Sequence, residues 1–279
     1  MPLATPLHDG AIAVVDYRCT AGPHDRPYAE VHDAYSVSYV RRGSFGYHTR
    51  GQSFELVAGA VLIGRPGDEF MCTHAHHAGG DECLCLRVDP ALAAELGDRL
   101  WTSRALPPLP MLGVSGELAQ AAAASGDRER LTADVYGFLE RFAASATGCE
   151  PPARNALPRE RRRIVQAALW LDAHAGETLD IAGIARSAHM STFHFLRMFA
   201  RVIGKTPYQY LLGARLRQAA RLLATDASSI TAIAATVGFG DLSNFVRTFG
   251  RAAGMSPRAY RSFARGLRNN VQAEVAPHS

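Results

Sequence analysis

The chain has 279 residues, 47% of them hydrophobic and 20% charged, and a net charge of +4 at pH 7. This length sets an expectation of two domains, each with ample apolar material for a core. No basic start leads into an apolar run and no stretch approaches the roughly 18 apolar residues of a membrane helix, so membrane spans are excluded and the cytoplasm is the expected location.

The modest net charge hides a split. Between Arg159 and Arg268 stand 17 Lys and Arg against 6 Asp and Glu, while the rest of the chain has 13 against 20. A basic half of this kind suits a polyanion, through phosphate neutralisation and counterion release, although a merely solvated basic surface has the same composition. Five cysteines, an odd number, argue against a disulfide framework and for reduced thiols.

In chain order, residues 12 to 88 read as short strands: YSVSYVRRG, SFGYHTRGQSFEL, AGAVLIGRPGDEFMCTH and ECLCLRV. Gly43, Gly51, Gly59 and the Arg65-Pro66-Gly67-Asp68 run punctuate them, and strands at this spacing favour a small sandwich or barrel. Alternation along FMCTHAHHAGGDECLCL places Cys72, His74 and His76 on one strand face and Cys83 and Cys85 on one face of the next. A hairpin would bring these groups together as ligands for Zn or Cu(I). The spacing matches no structural zinc pattern, and buried structural cysteines with loop histidines would read the same way.

From Pro90 the segments ALAAELGDRLW, SGELAQAAAAS and RERLTADVYGFLERFAAS carry helical periodicity. In the last, Leu131, Val135, Phe138, Leu139 and Phe142 form one apolar face that packs either on the strands or on a second subunit. TGCEPPARNALP, 147–158, with three prolines and a Gly, reads as a linker between a domain at 1–146 and another at 159–268, with 269–279 as a tail.

Everything after the linker reads as helix. RRRIVQAALWLDAHA is followed by two copies of a helix-turn-helix, with YQYLLGARLRQAARLLA between them. On this connecting helix Leu212, Leu216, Ala220 and Leu223 form the expected buried stripe, and Arg215, Arg217, Gln218 and Arg221 an expected basic outer face. The copies match closely: Phe195, Arg197, Phe199, Arg201, Gly204 and Pro207 recur as Phe245, Arg247, Phe249, Arg251, Gly254 and Pro257. Thr178 or Asp180 caps the first helix of copy one and Ser228 or Ser229 that of copy two; Ser191 and Asp241 cap the second helices, whose free amide ends suit a phosphate. Gly238 fits the left-handed exit from a first helix, and copy one has His189 there, a residue that visits positive φ more readily than most.

In the second helices Phe195, Phe199 and Val202, like Phe245, Phe249 and Ala252, face the core. The neighbouring face carries Phe193, Leu196 and Arg197, then Ser243, Val246 and Arg247: apolar or small groups for thymine methyls and an Arg for guanine. Phe193 and Leu196 would also suit a wider core, and the arginines a solvated surface. Two such helices on one connecting helix would enter successive major grooves, roughly 34 Å apart on one duplex face.

Residues Arg161 to Ala264 resemble the double helix-turn-helix domain of the AraC/XylS family of transcription regulators, through IAGIARSAHMSTFHFLRMFARVIGKTPYQYL, LRQAARLLA and ITAIAATVGFGDLSNFVRTFGRAAGMSPRAYR. The resemblance implies that Phe193, Leu196, Arg197, Leu242, Ser243, Val246 and Arg247 occupy base-reading positions, with Ser191, Thr192, Arg201, Asp241 and Arg251 as further candidate DNA contacts. More loosely, YSVSYVRRGSFGYHTRGQSFELVAGAVLIGRPGDEF resembles the cupin-type effector-binding domain of such regulators. That implies a small-molecule cavity inside the barrel and dimer contacts on the helices after it.

The expected fold is α+β: an N-terminal cupin-like β-barrel with following helices, then a C-terminal all-α domain of two helix-turn-helix units joined by a linker helix. The expected function is a non-enzymatic, sequence-specific DNA-binding transcription regulator. Its expected partners are double-stranded DNA, a small-molecule effector, a second copy of the chain and RNA polymerase, with no cofactor. One alternative is a metal- or thiol-sensing regulator built on Cys72, His74, Cys83 and Cys85. Another is a cupin-type metalloenzyme fused to a DNA-binding domain, for which the HAHH run lacks a separated third ligand.

Overall fold

The structure, a computed structural model, describes residues 3–74, 80–146 and 156–266. His76, most of the expected linker and the whole expected tail lie outside the described residues. The first part of the chain forms β1 (Leu3–His8), β2 (Ile12–Cys19), β3 (Ala29–Val31), β4 (Tyr35–Thr49), β5 (Gln52–Val57), β6 (Val61–Gly64), β7 (Glu69–Thr73), β8 (Asp81–Val88) and, after a short helix, β9 (Ala105–Leu106). The ladders are antiparallel, as a chain of short, turn-punctuated strands favours.

β4 does not break at Gly43. It bulges between Val40 and Arg42, and its first half pairs with β6 and β8 while its second half pairs with β5 and β7. One strand therefore belongs to two layers, β1-β2-β8-β4-β6-β9 and β3-β7-β4-β5. Gly43, at φ 72°, permits the passage, because a Cβ there would stand 2.1 Å from the Gly80 carbonyl oxygen.

The helices after the sheet are α1 (Pro90–Leu96), α2 (Pro110–Ser125) and α3 (Arg128–Ala146). ALAAELGDRLW is not one helix, since Gly97 at φ 93° ends α1 and a 3₁₀ turn follows over Asp98–Thr102. Leu131, Val135, Phe138, Leu139 and Phe142 of α3 are buried in one core with Val14, Val37, Val61, Leu84 and Leu86 of the sheet. The apolar face of α3 is thus used within the chain.

The rest is helical: α4 (Pro158–Ala173), α5 (Ile181–Ser187), α6 (Thr192–Ile203), α7 (Pro207–Thr225), α8 (Ile230–Thr236), α9 (Leu242–Ala253) and α10 (Pro257–Ala264). Among the described residues no helix is long and apolar enough to cross a membrane. Each helix-turn-helix has its own aromatic core, Phe195, Phe199 and Tyr210 in one and Phe245, Phe249 and Tyr260 in the other, with rings in tilted or edge contact.

The two halves share their packing. α2 is buried on nearly every side because it packs on α3 and β4 and also on α7, α9 and α10. Gly113 and Gly116 of α2 clear the space, since a Cβ on Gly116 would stand 2.5 Å from the Tyr39 ring and one on Gly113 3.0 Å from Cγ of Arg217. From α3, Arg141 donates to the carbonyls of Ala252 and Ala253, and Arg130 to that of Ala264, so two guanidinium groups close the carboxyl ends of α9 and α10.

The expected basic outer face of α7 is an interior surface. Arg217 is only 2% exposed and pairs with Asp172, its guanidinium 5.6 Å from the centre of the Tyr210 ring. Arg221 donates to Glu117 of α2 at 2.7 Å and to the Arg41 carbonyl at 2.8 Å. Arg215 donates to the carbonyls of Ala175 and Glu177. Helical periodicity assigns these arginines to solvent; a second packed body on that side converts them into struts.

On the other flank Val57 at the end of β5 joins the core of the first helix-turn-helix, and Arg161 of α4 lies 3.8 Å from Glu55 of β5. Burial pushes the Glu55 carboxyl up to about 7, against the pull of Arg161. A carboxyl raised in the folded state and ordinary when unfolded adds stability at low pH that is lost as pH rises through about 7. Relative to Glu55→Gln, which stays neutral, the wild-type chain should therefore lose melting temperature between about pH 5 and about pH 8. Parallel melting curves for the two proteins across that range would refute the assignment.

Candidate nucleic-acid interface and ligand cavity

Both helix-turn-helix units are built from their local chemistry. Asp180 accepts from the Gly183 amide and Ser229 from that of Ala232, fixing the starts of α5 and α8. His189 takes φ 53° and Gly238 φ 83°, so both turns use a left-handed residue. The hydrogen bonds correspond as well: His189 N to Arg186 O and Met190 N to Ala185 O, against Gly238 N to Ala235 O and Phe239 N to Ala234 O. Ser191 then accepts from the His194 amide at 3.3 Å and Asp241 from that of Asn244 at 2.6 Å, opening α6 and α9.

These two helices present the faces that periodicity assigned to them. Phe195, Phe199 and Val202, with Phe245, Phe249 and Ala252, are buried. Arg197, Arg247, Ser191, Thr192, Asp241, Ser243 and Arg251 are exposed, and so are Phe193 at 75%, Leu242 at 40% and Val246 at 38%. Large apolar side chains left in water on the same helix face as an arginine suit contact with base methyls. Leu196 is different, for it is half-buried against the core of its own unit, and Arg201 is half-buried too.

The two arginines are held unequally. Arg197 lies 5.9 Å from the centre of the Phe193 ring and 3.5 Å from His194 Nδ1, and His194 in turn reaches Glu160 at 3.2 Å. Arg247 donates only to Asn244 Oδ1, at 3.3 Å, among the described contacts. Asn244 and His194 were not among the sequence candidates, although each sits one turn before its arginine on the exposed side, a spacing that the sequence displays.

The second feature is a cavity of roughly 560 Å³ in the strand-rich half, between the two layers of the sheet. Cys19, Cys72, Cys83 and Cys85, all the cysteines among the described residues, line it together with His74 and Asp81. β7 and β8 do not form the hairpin that alternation suggested. β7 pairs with β3 and the end of β4, β8 with β2 and the start of β4, so Cys72 and Cys83 belong to different layers.

Cys19, unremarked in the sequence, pairs in register with Asp81 and lies beside His74, with Sγ 3.6 Å from Nε2. His74 Nε2 is 3.1 Å from Asp81 Oδ2, and Cys83 Sγ is 3.7 Å from Asp81 Oδ1. Among the described residues, Cys19, His74 and Asp81 form a group whose ligand atoms all lie within 4.8 Å of one another. Of the expected set only His74 belongs to it; Cys72 and Cys85 line the cavity elsewhere. Burial pushes up the thiols of Cys19, Cys72, Cys83 and Cys85, which leaves them neutral and weakly nucleophilic. Burial lowers His32, on the same wall, to about 4, so its imidazole is neutral and its Nε2 lies 2.9 Å from the Tyr47 hydroxyl.

Two family profiles match the chain: an AraC-like ligand binding domain over residues 18–139 and a helix-turn-helix domain over residues 184–262. Among curated proteins the chain is 31% identical to the melibiose operon regulatory protein of Escherichia coli strain K12 over 149 residues, half of this chain and 49% of that one. It is 30% identical to the MmsAB operon regulatory protein of Pseudomonas aeruginosa over 96 residues, 34% of this chain and 31% of that one. The matches thus span about a third to a half of the relatives' lengths. Among solved structures, the DNA-binding domain of AdpA in complex with a target DNA is 33% identical, with coverage of 39% of this chain and 97% of that one and a TM-score of 0.36. ToxT from Vibrio cholerae O395 is 13% identical, with coverage of 92% and 99% and a TM-score of 0.37.

Proposed function

We propose, for a chain that belongs to the AraC/XylS family of transcription regulators, that α6 and α9 read double-stranded DNA and that a small effector in the sheet cavity biases how they engage it. The observation that carries this reading is the pair of matched helices with exposed Arg197 and Arg247, each beside exposed apolar groups and each opened by a side-chain cap. An exposed amide end donates to a phosphate, an exposed guanidinium donates to a guanine edge, and Phe193, Leu242 and Val246 suit contact with thymine methyls.

In this reading residues 1–146 bind the effector, 147–158 link, and 159–268 bind DNA. Arg201 and Arg251 serve as phosphate contacts at the carboxyl ends of the reader helices. The protein acts in the cytoplasm, without catalysis of its own, as a homodimer in contact with RNA polymerase. Because the apolar face of α3 is already covered, dimer contacts would use other surface.

The test is selection of duplexes from a random pool by the full chain, followed by binding measured over a range of salt. The selected duplex should bind at least about a thousandfold more tightly than a scrambled one, with log affinity falling linearly with log salt. Equal affinity for both duplexes would overturn the reading.

A further inference from the structure

We propose that the effector of the cavity is a single thiophilic divalent cation of the zinc type, held by Cys19, His74 and Asp81. The inference rests on the reading of this cavity as the effector site and supplies the chemistry of its ligand.

The geometry suits three corners of a tetrahedral site. With zinc–sulfur bonds of about 2.3 Å and zinc–nitrogen and zinc–oxygen bonds of about 2.0–2.1 Å, tetrahedral angles put sulfur and nitrogen about 3.5 Å apart and nitrogen and oxygen about 3.3 Å apart. The corresponding separations are 3.6 Å from Cys19 Sγ to His74 Nε2 and 3.1 Å from His74 Nε2 to Asp81 Oδ2. Cys83 Sγ, 3.7 Å from the other Asp81 oxygen, lies outside this group. One nitrogen, one sulfur and a carboxylate are donors that zinc accepts.

The scaffold holds these groups before any ion arrives. Cys19 and Asp81 face each other at the ends of β2 and β8, and Cys83 follows on the same face of β8. Behind them the backbone is packed without room for a side chain, since a Cβ on Gly80 would stand 2.0 Å from the Cys19 carbonyl oxygen. The side chains of His74 and Asp81 are about nine-tenths buried, so water screens them poorly. The wall is acidic as well: Arg87 is paired with Asp33, which leaves Asp25, Glu30 and Asp81 against Arg26. A neutral organic ligand would gain nothing from this excess, whereas a cation would. On binding, the Cys19 thiol gives its proton to solvent and its sulfur lone pair to the ion, with no change of oxidation state.

The experiment uses the reduced, chelator-treated full chain, titrated with Co²⁺ and then with Zn²⁺ in competition. One cobalt per chain is expected, with sulfur-to-cobalt charge transfer and the ligand-field bands of a tetrahedral site. Cys19→Ser and Asp81→Asn should each weaken uptake more than about tenfold, and Cys19→Ser should also remove the charge-transfer band. Cys85→Ser, in the same cavity but outside the set, should behave as wild type. Zinc should also change affinity for the selected duplex by about fivefold or more.

The proposal is overturned by absence of stoichiometric uptake, by uptake that Cys19→Ser and Asp81→Asn leave unchanged, or by uptake with no effect on DNA affinity. Selective DNA binding without cobalt uptake sinks this inference alone. Cobalt uptake by a chain that selects no duplex in either state sinks the regulator reading and leaves the metal site standing.

Discussion

Glu117→Ala is expected to destabilise the chain by about 3 to 5 kcal/mol in urea unfolding. The carboxylate is 4% exposed, and one oxygen accepts from the Tyr39 hydroxyl at 2.9 Å and from Arg221 at 2.7 Å. Tyr39 belongs to β4, Glu117 to α2 and Arg221 to α7, so a single acceptor ties the sheet, the helix behind it and the helix that joins the two helix-turn-helix units. Among the described contacts, removal takes the acceptor from a buried hydroxyl and leaves the Arg221 guanidinium with only the Arg41 carbonyl. Arg221→Ala, which strands the carboxylate instead, should be comparably costly.

The double variant Glu117→Met with Arg221→Met separates the pair from its surroundings, since two thioethers of similar volume fill the space without charge. It should be more stable than either alanine variant. A loss below about 1 kcal/mol in Glu117→Ala would show that the contact is screened and contributes little. In the reading proposed above, a shift of β4 on ligand binding would be felt at α7 through Tyr39 and Arg41. In Glu117→Ala the response of DNA affinity to ligand should weaken along with stability.

How much of this was legible in the sequence differs from element to element. The exposed and buried faces of α6 and α9 were, because a repeat supplies two independent samples of one geometry: Arg197 and Arg247 recur beside Phe195 and Phe245, and the structure leaves the arginines exposed and the phenylalanines buried. The turn at His189 was legible for the same reason, its φ of 53° matching the place of Gly238. α7 was not. Periodicity distinguishes an apolar stripe from the rest of a helix, but whether the rest meets water or another body depends on contacts far along the chain. Arg217 and Arg221 look like surface arginines until Glu117, Asp172 and Tyr39 are placed against them. A sign was present in α2, where Gly113, Gly116, Ala119 and Ala122 recur at threefold spacing and leave a helix with little polar face, which is a helix destined for burial on several sides. The thiol cluster was half legible. Alternation found the cavity-facing cysteines of β8, yet Cys19 and Asp81 join His74 only through a register between strands far apart in sequence.

Arg247→Ala should weaken binding to the selected duplex by about 1 to 3 kcal/mol, roughly five- to 150-fold, and relax preference at the base pair it reads. The side chain is exposed and engaged only with Asn244 among the described contacts, so melting temperature should barely move. That combination distinguishes a base reader from a strut. Arg217→Ala, which charge counting alone would group with it, should lose stability first and DNA binding only as a consequence. Arg251→Ala supplies the third pattern expected of a phosphate contact: uniform weakening on all duplexes and a salt slope shallower by about one. Arg197→Ala should resemble Arg247→Ala with a smaller loss of selectivity if the Phe193 ring, beside which Arg197 lies, continues to contact the groove. Wild-type affinity and preference in Arg247→Ala would remove α9 from the interface, and the matched faces of α6 and α9 would then need another explanation.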